Sequence, residues 1–577
     1  MKITIAKTAG FCMGVRRAVE LALDSANRSG GQIYTYGPLI HNPQVLSILS
    51  QKNISVLQEI PNSGQGTVII RAHGVPPSDR EALRNAGFHV IDATCPRVIK
   101  VQSIISRHAR HGYSVIIAGD REHPEVAGLL GYAGKHGYVI NSLEELQALP
   151  DFDRAIIVAQ TTQNTAFFES VQKWAQQHNP HYRVFNTICD STEKRQREVQ
   201  DMSGQVDAVV VVGGYNSGNT RRLADIARQS GKTALHAEKA EDLPIPELSE
   251  CRTIAVTAGA STPNWIIRQV MQHLEKRLAG KDGRIRRWGY TLVRNLMLSN
   301  LYLALGAACL AGAGAWLQGA AAKPAYIGIA GLYILSMHTL HHMFDRIVDS
   351  YNDPERARFY QDNRYTLTGL AAASGIGGLA VAWMMGPLFF ILLLVMSLLG
   401  VVYNLEIKDG HPGLKRVPVL KRIPGSKTVL VTLAWAIVAA LFPALDVYGQ
   451  IAPAGVAAFI WIAAIVFVRT AFFDIIDMQG SRIAGRETIP ILLGERRTMR
   501  LLKIVLAATV VFLPICALAG VLPLSASVMS LVPAAMLVFL HVHEQSGRFL
   551  GVLRGFIMES HFVFAGILAL LLAWGGM

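Results

Sequence analysis

The sequence predicts two domains of different fold classes: an α/β domain of three lobes with pseudo-threefold symmetry around a central cluster, then an all-α domain of about nine transmembrane helices. Two observations predict this division. A strand, a cysteine and a helix follow one another three times in the first half, and long apolar stretches dominate from about residue 295 onward. We expect the α/β domain at residues 1–275, a basic linker at 276–294 and the membrane domain at 295–577.

The composition is that of a chain with a large apolar part. Its 577 residues are 51% hydrophobic, with a net charge of +14 and a mean hydropathy of +0.30. This average is too apolar for an ordinary soluble protein of such length. Six cysteines are too few for a disulfide scaffold, and we find no signal-peptide pattern before the first predicted strand. We therefore expect the first half to lie in a reducing cytosol, where free thiolates can bind metal.

Three cysteines occupy equivalent positions between a predicted strand and a predicted helix. Cys12 follows KITIAKTAG, Cys95 follows HVIDAT and Cys189 follows RVFNTI, and each precedes a helical pattern, with Pro96 as the first residue of the second helix. A helix N-terminus favours a thiolate. Three lobes, each with one such cysteine, could therefore bring three thiolates to a common centre at the carboxyl ends of strands.

Three thiolates are compatible with two kinds of metal centre. A 4Fe–4S cluster normally takes four thiolates, so three would leave one iron open to a substrate. Zinc with three cysteines and a histidine is the alternative, but the compact C-x-x-C spacing usual for such zinc sites is absent. Any one of these cysteines could also be a small buried hydrophobic residue. The recurrence of the pattern favours the cluster.

Polar loops between further strands and helices predict an anion site in the same half. Neutral donors, backbone amides and helix N-termini suit a small, multiply charged anion such as a diphosphate. Each Ser, Thr or Asn could instead only cap its helix, but many loops follow one plan. The residues in these loops are His41, Asn42, His73, His123, Glu125, Thr161, Asn216, Ser217, Asn219 and Ser261.

Eight segments occur in order through residues 1 to about 275: AGFCMGVRRAV, YGPLIHNPQV, RAHGVPP, DATCP, HPEVAG, AQTTQN, NSGNTRRL and VTAGASTP. They resemble the 4-hydroxy-3-methylbut-2-enyl diphosphate reductases, the LytB-type enzymes that end the methylerythritol phosphate route to isoprenoids. The resemblance implies that Cys12, Cys95 and Cys189 hold a 4Fe–4S cluster and that the substrate's allylic hydroxyl reaches the open iron. The positions implied to bind the substrate's diphosphate are His41, His73, His123, Ser217, Gly218 through its backbone, Asn219 and Ser261.

The chemistry of this family requires a proton donor beside the leaving hydroxyl, because its removal takes two electrons and two protons. The resemblance implies Glu125 as this donor. Thr161 would bind the same hydroxyl and relay or position the proton, while iron acts as Lewis acid and electron conduit. A ferredoxin- or flavodoxin-like protein would supply the electrons, and the products would be isopentenyl and dimethylallyl diphosphates. The alternative is a cluster-binding redox sensor without turnover.

The second half contains apolar stretches close to membrane-spanning length. Basic residues concentrate in alternate loops, at 346–364, 408–427, 482–500 and 548–554. By the positive-inside rule these loops and the first half lie on the cytoplasmic side, so we expect a multi-pass protein of the inner membrane with its reductase domain in the cytosol. The nine stretches lie near 295–318, 324–340, 366–385, 387–404, 428–445, 451–472, 502–520, 524–541 and 561–577.

Two of the basic loops also carry carboxylates. HHMFDRIVDSYND places Asp345, Asp349 and Asp353 four residues apart, on one face of a helix, and Asp474 and Asp477 end another predicted span. Such carboxylates could bind a divalent cation that bridges to a diphosphate. They could also be ordinary residues of the membrane interface, but two such loops on one side favour a magnesium diphosphate site.

This layout resembles the UbiA-type intramembrane prenyltransferases over residues 295–577. The first family motif, N-D-x-x-D-x-x-x-D, becomes His341, His342, Asp345 and Asp349; the second, D-x-x-D-x-x-x-D, becomes Asp474, Asp477 and Ser481. The segments YNLEIK, LKRIPGSK and GRETIPILLG also fit.

The resemblance implies Mg²⁺ at the four aspartates, isoprenoid diphosphates as substrates, a lipid bilayer as surroundings and no nucleic-acid partner. Because both motifs are altered, the alternative is a silent anchor or a conduit for the product.

Overall fold

The structure is a computed structural model, and it describes residues 2–28, 31–278, 284–404, 423, 425–546 and 551–575. The chain separates into two compact units, Met1–Gly280 and Lys281–Met577. The finer division at 275 and 295, with its linker, stays a prediction. Residues 405–422 and 424, which include parts of YNLEIK and LKRIPGSK and one basic loop, lie outside the described residues, as does Arg548.

The described part of the first unit contains three parallel sheets of four strands each. Strands β8 and β10, with the sequences AIIVA and AVVVV, are buried at every residue, as expected when helices cover both faces of a parallel sheet. The strands are β1 (Lys2–Ile5), β2 (Ile33–Tyr36), β3 (Ile54–Leu57), β4 (Thr67–Ile70), β5 (His89–Asp92), β6 (Ser114–Ala118), β7 (Gly137–Ile140), β8 (Ala155–Ala159), β9 (Arg183–Phe185), β10 (Ala208–Val212), β11 (Thr233–Ala237) and β12 (Thr253–Ala258).

The three sheets share one strand order. Two of them run β3-β2-β4-β5 and β7-β6-β8-β9, and the third runs β11-β10-β12-β1. In the third sheet the first strand of the chain takes the place that β5 and β9 occupy in the others. This repetition confirms the predicted α/β fold of three lobes. In each sheet the order reverses between the two central strands, and in such folds ligands bind beyond the carboxyl ends of strands at this point.

Helices connect the strands of the first unit. They are α1 (Met13–Arg28), α2 (Pro43–Gln51), α3 (Pro77–Asn85), α4 (Pro96–Ala109), α5 (Pro124–Ala133), α6 (Leu143–Gln147), α7 (Thr165–His178), α8 (Asp190–Ser203), α9 (Gly218–Gln229), α10 (Ile245–Leu248) and α11 (Asn264–Leu278). Alternate residues of β6 face different cores: Val115 and Ile117 pack in one cluster, Ile116 and Ala118 in another. The sheet is therefore buried on both faces, and its loops are left to form a site.

The described residues of the second unit are helical, without strands. The helices are α12 (Arg284–Leu298), α13 (Leu301–Leu317), α14 (Pro324–Phe344), α15 (Arg346–Asn352), α16 (Pro354–Asp362), α17 (Arg364–Met385), α18 (Pro387–Asn404), α19 (Ser426–Ala436), α20 (Phe442–Tyr448), α21 (Pro453–Ile476), α22 (Met478–Ile483), α23 (Ile489–Leu493), α24 (Glu495–Leu518), α25 (Leu531–Ser546) and α26 (Gly551–Trp574).

Among the described residues, seven helices are long and apolar enough to cross a membrane. The count becomes eight if Trp288–Leu298 and Leu301–Leu317, bent by 71°, form one span. The prediction of about nine is therefore slightly high. The stretch that does not qualify is α14, whose last turns carry His338, His341 and His342.

The second unit has the apolar exterior of a multi-pass membrane protein. Large apolar side chains such as Met384, Leu518 and Trp574 are exposed on its helices, which suits a lipid environment. Close packing in the interior depends on small residues: a Cβ at Gly314 would overlap the carbonyl oxygen of Ala439. Such close approach of helices is typical of membrane bundles.

Candidate functional site

The three cysteines lie at equivalent points of the three lobes. Cys12 precedes α1 after the edge strand β1, while Cys95 and Cys189 cap α4 and α8 after the edge strands β5 and β9. All three are free thiols and half-buried. The backbone N–H of Val15 donates to the Sγ of Cys12 over 3.4 Å. The N-terminus of a helix therefore lies next to each of the three cysteines.

The thiols of the three lobes are close to one another. Burial raises the pKa of the Cys95 thiol, backbone N–H groups oppose this, and Cys12 and Cys189 raise the pKa further by charge repulsion. A Cβ at Gly14 would overlap the Sγ of Cys95. The start of α1 thus lies so close to the thiol of Cys95 that a glycine is needed beside the sulfur.

Arg195, on α8, is a buried cation beside this thiol centre that the sequence did not predict. It donates to the carbonyl oxygens of Gly10 over 2.7 Å and Ala258 over 3.0 Å. Burial lowers the pKa of Arg195, whereas Cys12 and then Cys189 are among the groups that raise it. The guanidinium ties α8 to the loop that carries Cys12 and places a positive charge near two of the sulfurs.

Three histidines from two lobes converge beyond the ends of central strands. The ring centres of His41 and His73 are 4.9 Å apart, those of His73 and His123 5.3 Å, and those of His41 and His123 5.9 Å. Burial is the main cause that lowers the pKa of each, and it lowers that of His123 to about 4. The rings are therefore neutral near pH 7.

The tautomer of His123 follows from its position as the cap of α5. Its Nδ1 accepts the backbone N–H of Glu125 over 3.1 Å. A neutral imidazole whose Nδ1 accepts must carry its proton on Nε2. The Nε2–H of His123 is therefore a hydrogen-bond donor that a ligand could use.

Loops of the third lobe lie next to the three histidines. Ser217 caps α9, and the hydroxyl of Ser261 lies 3.4 Å from that of Ser217 and donates to the carbonyl oxygen of His41 over 3.1 Å. A Cβ on Gly218 would lie 4.0 Å from the ring of His123. Residues from all three lobes thus surround one small volume.

Several buried polar atoms around this volume have no partner among the described residues. They are the Nε2 of His41, the Nδ1 of His73 and the Nδ2 of Asn219. Because buried polar groups are nearly always hydrogen-bonded in proteins, these atoms indicate a missing ligand. The side-chain nitrogen of Asn219 can only donate, so the ligand must accept hydrogen bonds.

Geometry alone also permits a metal ion among the three histidines, whose ligating atoms lie within 4.8 Å of one another. A metal ion would not accept a hydrogen bond from Asn219. An anion satisfies the whole set.

Glu125 and Thr161 form a buried pair next to the histidines. One carboxylate oxygen of Glu125 accepts the backbone N–H of Thr161 over 2.7 Å, and the other accepts its hydroxyl over 2.8 Å. Burial raises the pKa of Glu125, although these hydrogen bonds oppose the shift. The carbonyl oxygen of Thr161 accepts the N–H of Cys189 over 2.9 Å. The loop of Thr161 therefore connects the carboxyl group to the thiol centre.

The structure does not bring every loop residue of the sequence analysis into the ring. Asn42 caps α2 by accepting the N–H of Val45, which is the capping alternative, and Asn216 is exposed. Conversely, arginines missed by the sequence analysis adjoin the ring: Arg71 and Arg221 interact electrostatically with His41, and Arg222 with His123. The pair of arginines in NSGNTRRL is the signal that could have identified two of them.

In the second unit, the two altered motifs meet. Asp345, between α14 and α15, is buried, and both of its oxygens pair with the guanidinium of Arg486 from the loop after α22. His341 lies 3.1 Å from Asp345. A Cβ at Gly480 on α22 would overlap the side chain of Asn352 on α15. The helices of the two motifs are thus in direct contact.

The remaining carboxylates lie within the same polar region. Asp349 pairs with the Nδ1 of His342 over 2.8 Å, and the Nε2 of His342 lies 2.7 Å from Arg356. Asp474 accepts the hydroxyl of Thr428 over 2.6 Å, and Asp477 interacts electrostatically with Arg356.

Two further residues of the altered motifs have other positions. Asp353 caps α16 by accepting the N–H of Arg356. Ser481 is a buried residue of α22, without a carboxylate to offer.

Comparisons with known proteins agree with this geometry. Residues 3–275 match the family model described as LytB protein, and residues 289–548 match the UbiA prenyltransferase family. The chain is 41% identical over 276 residues to the 4-hydroxy-3-methylbut-2-enyl diphosphate reductase of Geotalea uraniireducens (48% of this chain, 98% of that protein) and 43% identical over 288 residues to that of Aquifex aeolicus (48% and 98%).

Two solved structures align with separate halves. One, of (E)-4-hydroxy-3-methyl-but-2-enyl diphosphate reductase, is 42% identical and covers 48% of this chain and 100% of that chain, with a TM-score of 0.39. The other, a UbiA homolog from Archaeoglobus fulgidus bound to DMAPP and Mg²⁺, is 18% identical and covers 48% and 96%, with a TM-score of 0.35.

Gly14→Ala tests the close packing at the thiol centre. The new Cβ overlaps the Sγ of Cys95, so we expect a displaced thiol and a loss of about 1–3 kcal/mol in the free energy of unfolding, the usual cost of overpacking. The measurements are the alkylation rate of Cys95 in metal-free protein and denaturant-induced unfolding. Gly204→Ala is the control, because its Cβ makes only ordinary contact at 3.7 Å. Equal alkylation rates of Cys95 and equal free energies of unfolding in Gly14→Ala and Gly204→Ala would show that Gly14 does not pack against the Cys95 thiol.

Proposed function

Because residues 3–275 belong to the family of 4-hydroxy-3-methylbut-2-enyl diphosphate reductases and residues 289–548 match the UbiA prenyltransferases, we propose that the chain is a fusion of two isoprenoid enzymes. The first half reductively dehydroxylates 4-hydroxy-3-methylbut-2-enyl diphosphate to isopentenyl and dimethylallyl diphosphates. The second half transfers a prenyl group within the membrane. The observation that carries the first activity is the set of unpartnered donors beside the buried Glu125–Thr161 pair.

The unpartnered donors support diphosphate binding. His123 offers its Nε2 proton, and His41, His73 and Asn219 offer buried nitrogens without another partner among the described residues. Neutral imidazoles donate without holding a charge that would have to be desolvated. The N-terminus of α9 adds backbone donors and its dipole. Arg71 and Arg221 add positive charge near the ring.

The thiol centre fits a 4Fe–4S cluster better than zinc. Three thiols from three lobes leave a fourth coordination position without a protein ligand, as a substrate-binding cluster requires. The histidines are instead assigned to the anion. When bound, the cluster would relay the two electrons from an external donor one at a time and would act as a Lewis acid toward the substrate's hydroxyl. Arg195 adds a positive charge beside Cys12 and Cys189.

Glu125 is the proton donor of the proposed mechanism. Burial raises its pKa, so its carboxyl group stays protonated to a higher pH than an exposed glutamate. In the structure it bonds both the backbone and the hydroxyl of Thr161. When Glu125 is protonated, its O–H can donate to the Thr161 hydroxyl oxygen. The O–H of Thr161 can then donate to the substrate's leaving hydroxyl, so that the proton passes from Glu125 through Thr161. The buried environment keeps bulk water away from both groups.

A redox sensor without turnover is the less favoured alternative. A sensor needs the cysteines but has no use for a buried acid or a ring of anion donors. The presence of both around one volume supports an enzyme. We further propose that a ferredoxin- or flavodoxin-like protein supplies the electrons.

The second half has the charges needed for a magnesium diphosphate site. Asp345, Asp349, Asp474 and Asp477 supply oxygen ligands of the kind that Mg²⁺ prefers. Arg486 and Arg356 stand among them and can neutralise a diphosphate. In the altered first motif, His342 bonds both Asp349 and Arg356 and thereby holds these two groups in register.

The location of the protein follows from the same proposal. The apolar helices support a multi-pass position of the second half in the bilayer. By the positive-inside rule the basic loops favour a cytoplasmic location for the carboxylates and for the reductase, and we propose that the membrane is the inner membrane. The reductase would then release dimethylallyl diphosphate, an allylic diphosphate, on the side where the transferase binds such substrates.

Cys95→Ser tests the cluster. Loss of one thiolate should abolish the iron-sulfur absorbance and the reductase activity together, while the membrane half stays folded in detergent. Cys251→Ser, which removes another thiol of the same unit outside the thiol centre, is the control. A Cys95→Ser protein that keeps both cluster and turnover would overturn the assignment.

Glu125→Gln separates binding from proton transfer. The substitution keeps the shape of the side chain but removes the acid, so substrate should still bind while turnover falls by about 10²-fold or more. In the unmutated enzyme, turnover should fall as the pH rises through the raised pKa of Glu125. The residual activity of the variant should not show this decrease with pH. Glu122→Gln, an exposed neighbour, is the control. Unchanged turnover would place the acid elsewhere.

Asp349→Asn tests the membrane site. Removal of one carboxylate leaves the diphosphate charge uncompensated where the metal would bridge it, so Mg²⁺-dependent binding of geranyl diphosphate and prenyl transfer should both be lost. Reductase activity should not change. Asp362→Asn, at the exposed end of α16, should leave both activities intact. Equal binding of geranyl diphosphate by the two variants would rule out this magnesium site.

A further inference from the structure

The helix that precedes α13 is basic and amphipathic. α12 (Arg284–Leu298) has the sequence RIRRWGYTLVRNLML, with arginines at positions 284, 286, 287 and 294 and no acidic residue. A helix of this length extends over about 22 Å, less than the hydrocarbon core of a bilayer, and charged residues are costly in that core. α12 by itself is therefore unsuited to cross the membrane.

One face of α12 is apolar and exposed. Trp288, Leu292 and Leu296 each lie one helical turn after the other, so they share one side of the helix. Trp288 is 67% exposed and Leu292 is 42% exposed, whereas Leu298, at the end of the helix, is buried. The end of α12 thus packs in the protein, while the apolar face at residues 288–292 stays open.

The direction of α12 differs sharply from that of α13. The helical segments Trp288–Leu298 and Leu301–Leu317 are bent by 71° relative to each other. Asn300, at the bend, has a φ of 61°, in the left-handed region, which interrupts the helical path. Spanning helices tilt on average about 20° from the bilayer normal. If α13 crosses the membrane, a helix bent this far from it runs close to the membrane plane.

Hydrogen bonds hold α12 and the bend against α16. The Nδ2 of Asn300 donates to the hydroxyl of Tyr360 over 2.8 Å. The Nε of Arg294 donates to the Oε1 of Glu355 over 2.5 Å. The next residue of α16, Arg356, interacts electrostatically with carboxylates of the altered motifs. The orientation of α12 is therefore fixed relative to the helix that carries Arg356.

We propose that α12 lies in the interface of the bilayer and binds acidic phospholipids. Trp288 and Leu292 enter the boundary between headgroups and acyl chains, and the arginines that open the helix contact the lipid phosphates. A basic amphipathic helix with Trp and Leu on its apolar face is typical of helices that lie in this plane. Each basic residue beside a membrane adds attraction to acidic lipids.

Two features favour a lipid surface over a protein partner. The open face of α12 is followed along the chain by exposed apolar residues of α13, Leu301 and Leu305, which suit a lipid environment. The arginines of α12 have no acidic residue within the helix to neutralise them. An acidic lipid surface matches both the apolar face and the positive charge.

This placement sets the depth of the carboxylates of the second unit. Because α16 is bonded to α12, Arg356 and the carboxylates around it stay near the level of the headgroups. The diphosphate of an amphiphilic substrate lies at the same level. The position of α12 can be measured without either enzymatic activity.

Quenching by spin-labelled lipids measures the depth of α12. The fluorescent amino acid acridonylalanine takes the place of Trp288 in the full-length protein, which is reconstituted in vesicles of phosphatidylcholine and phosphatidylglycerol. A nitroxide near the headgroup should quench this probe about twofold more than a nitroxide near the end of the acyl chain. The same probe at Ile376, an exposed residue in the middle of the spanning helix α17, should show the opposite order.

Acidic and neutral spin-labelled lipids test the headgroup preference. At equal mole fraction, spin-labelled phosphatidylglycerol should quench the probe at position 288 about twofold more than spin-labelled phosphatidylcholine. High salt should remove this excess, because it screens exposed charges. Replacement of Arg284, Arg286 and Arg287 by glutamine should remove the excess at low salt and leave the thermal stability unchanged.

A control variant removes the same number of charges elsewhere. It replaces exposed basic residues of the first unit by glutamine, namely Lys135, Arg154 and Lys173, and it should keep the preference for phosphatidylglycerol. The inference is overturned if the deeper nitroxide quenches position 288 more strongly, if neither lipid quenches it, or if the preference for phosphatidylglycerol is absent or survives the loss of the three arginines. The depth and salt measurements need no arginine variant, so they decide the question even if that variant does not fold.

Discussion

The pairing of β1 with β12 closes the third sheet of the first unit and joins the two ends of that unit. Residues Lys2 to Ile5 align in parallel with Thr253 to Val256. Without this pairing the third lobe would lack its fourth strand, and Cys12 would not reach the thiols of the other lobes. The same register sets the start of α1, where Gly14 lies against Cys95. The thiol centre therefore depends on a contact between residues at opposite ends of the unit.

Because the strand order is common to the three sheets, the edge strands and the central strands lead to different groups of site residues. Edge strands β1, β5 and β9 lead to the cysteines, and the central strands lead to the loops of His41, His73, His123, Thr161, Ser217 and Ser261. Because all strands of a sheet are parallel, both sets end on the same side. The thiol centre and the three histidines are thus close together, with the Thr161 loop between them.

The sequence predicted those site residues that can be recognised from their immediate neighbours along the chain. A strand, a cysteine and a helix can be read within some twenty residues, and so can a histidine before a helix. Arg195 could not be found in this way, because its partners Gly10 and Ala258 are brought to it only by the closed sheet. The capping role of Asn42 and the exposure of Asn216 were equally invisible, since every loop carried similar residue types. In the second unit the pairing of Asp345 with Arg486 joins motifs 141 residues apart.

The most direct test of the iron–sulfur reductase is the iron and acid-labile sulfide content of the anaerobically purified full-length chain. The same sample is assayed with 4-hydroxy-3-methylbut-2-enyl diphosphate and a chemical reductant. We expect about four iron and four sulfide ions per chain, with conversion of the substrate to isopentenyl and dimethylallyl diphosphates. One zinc per chain, or a full cluster without any conversion, would contradict it.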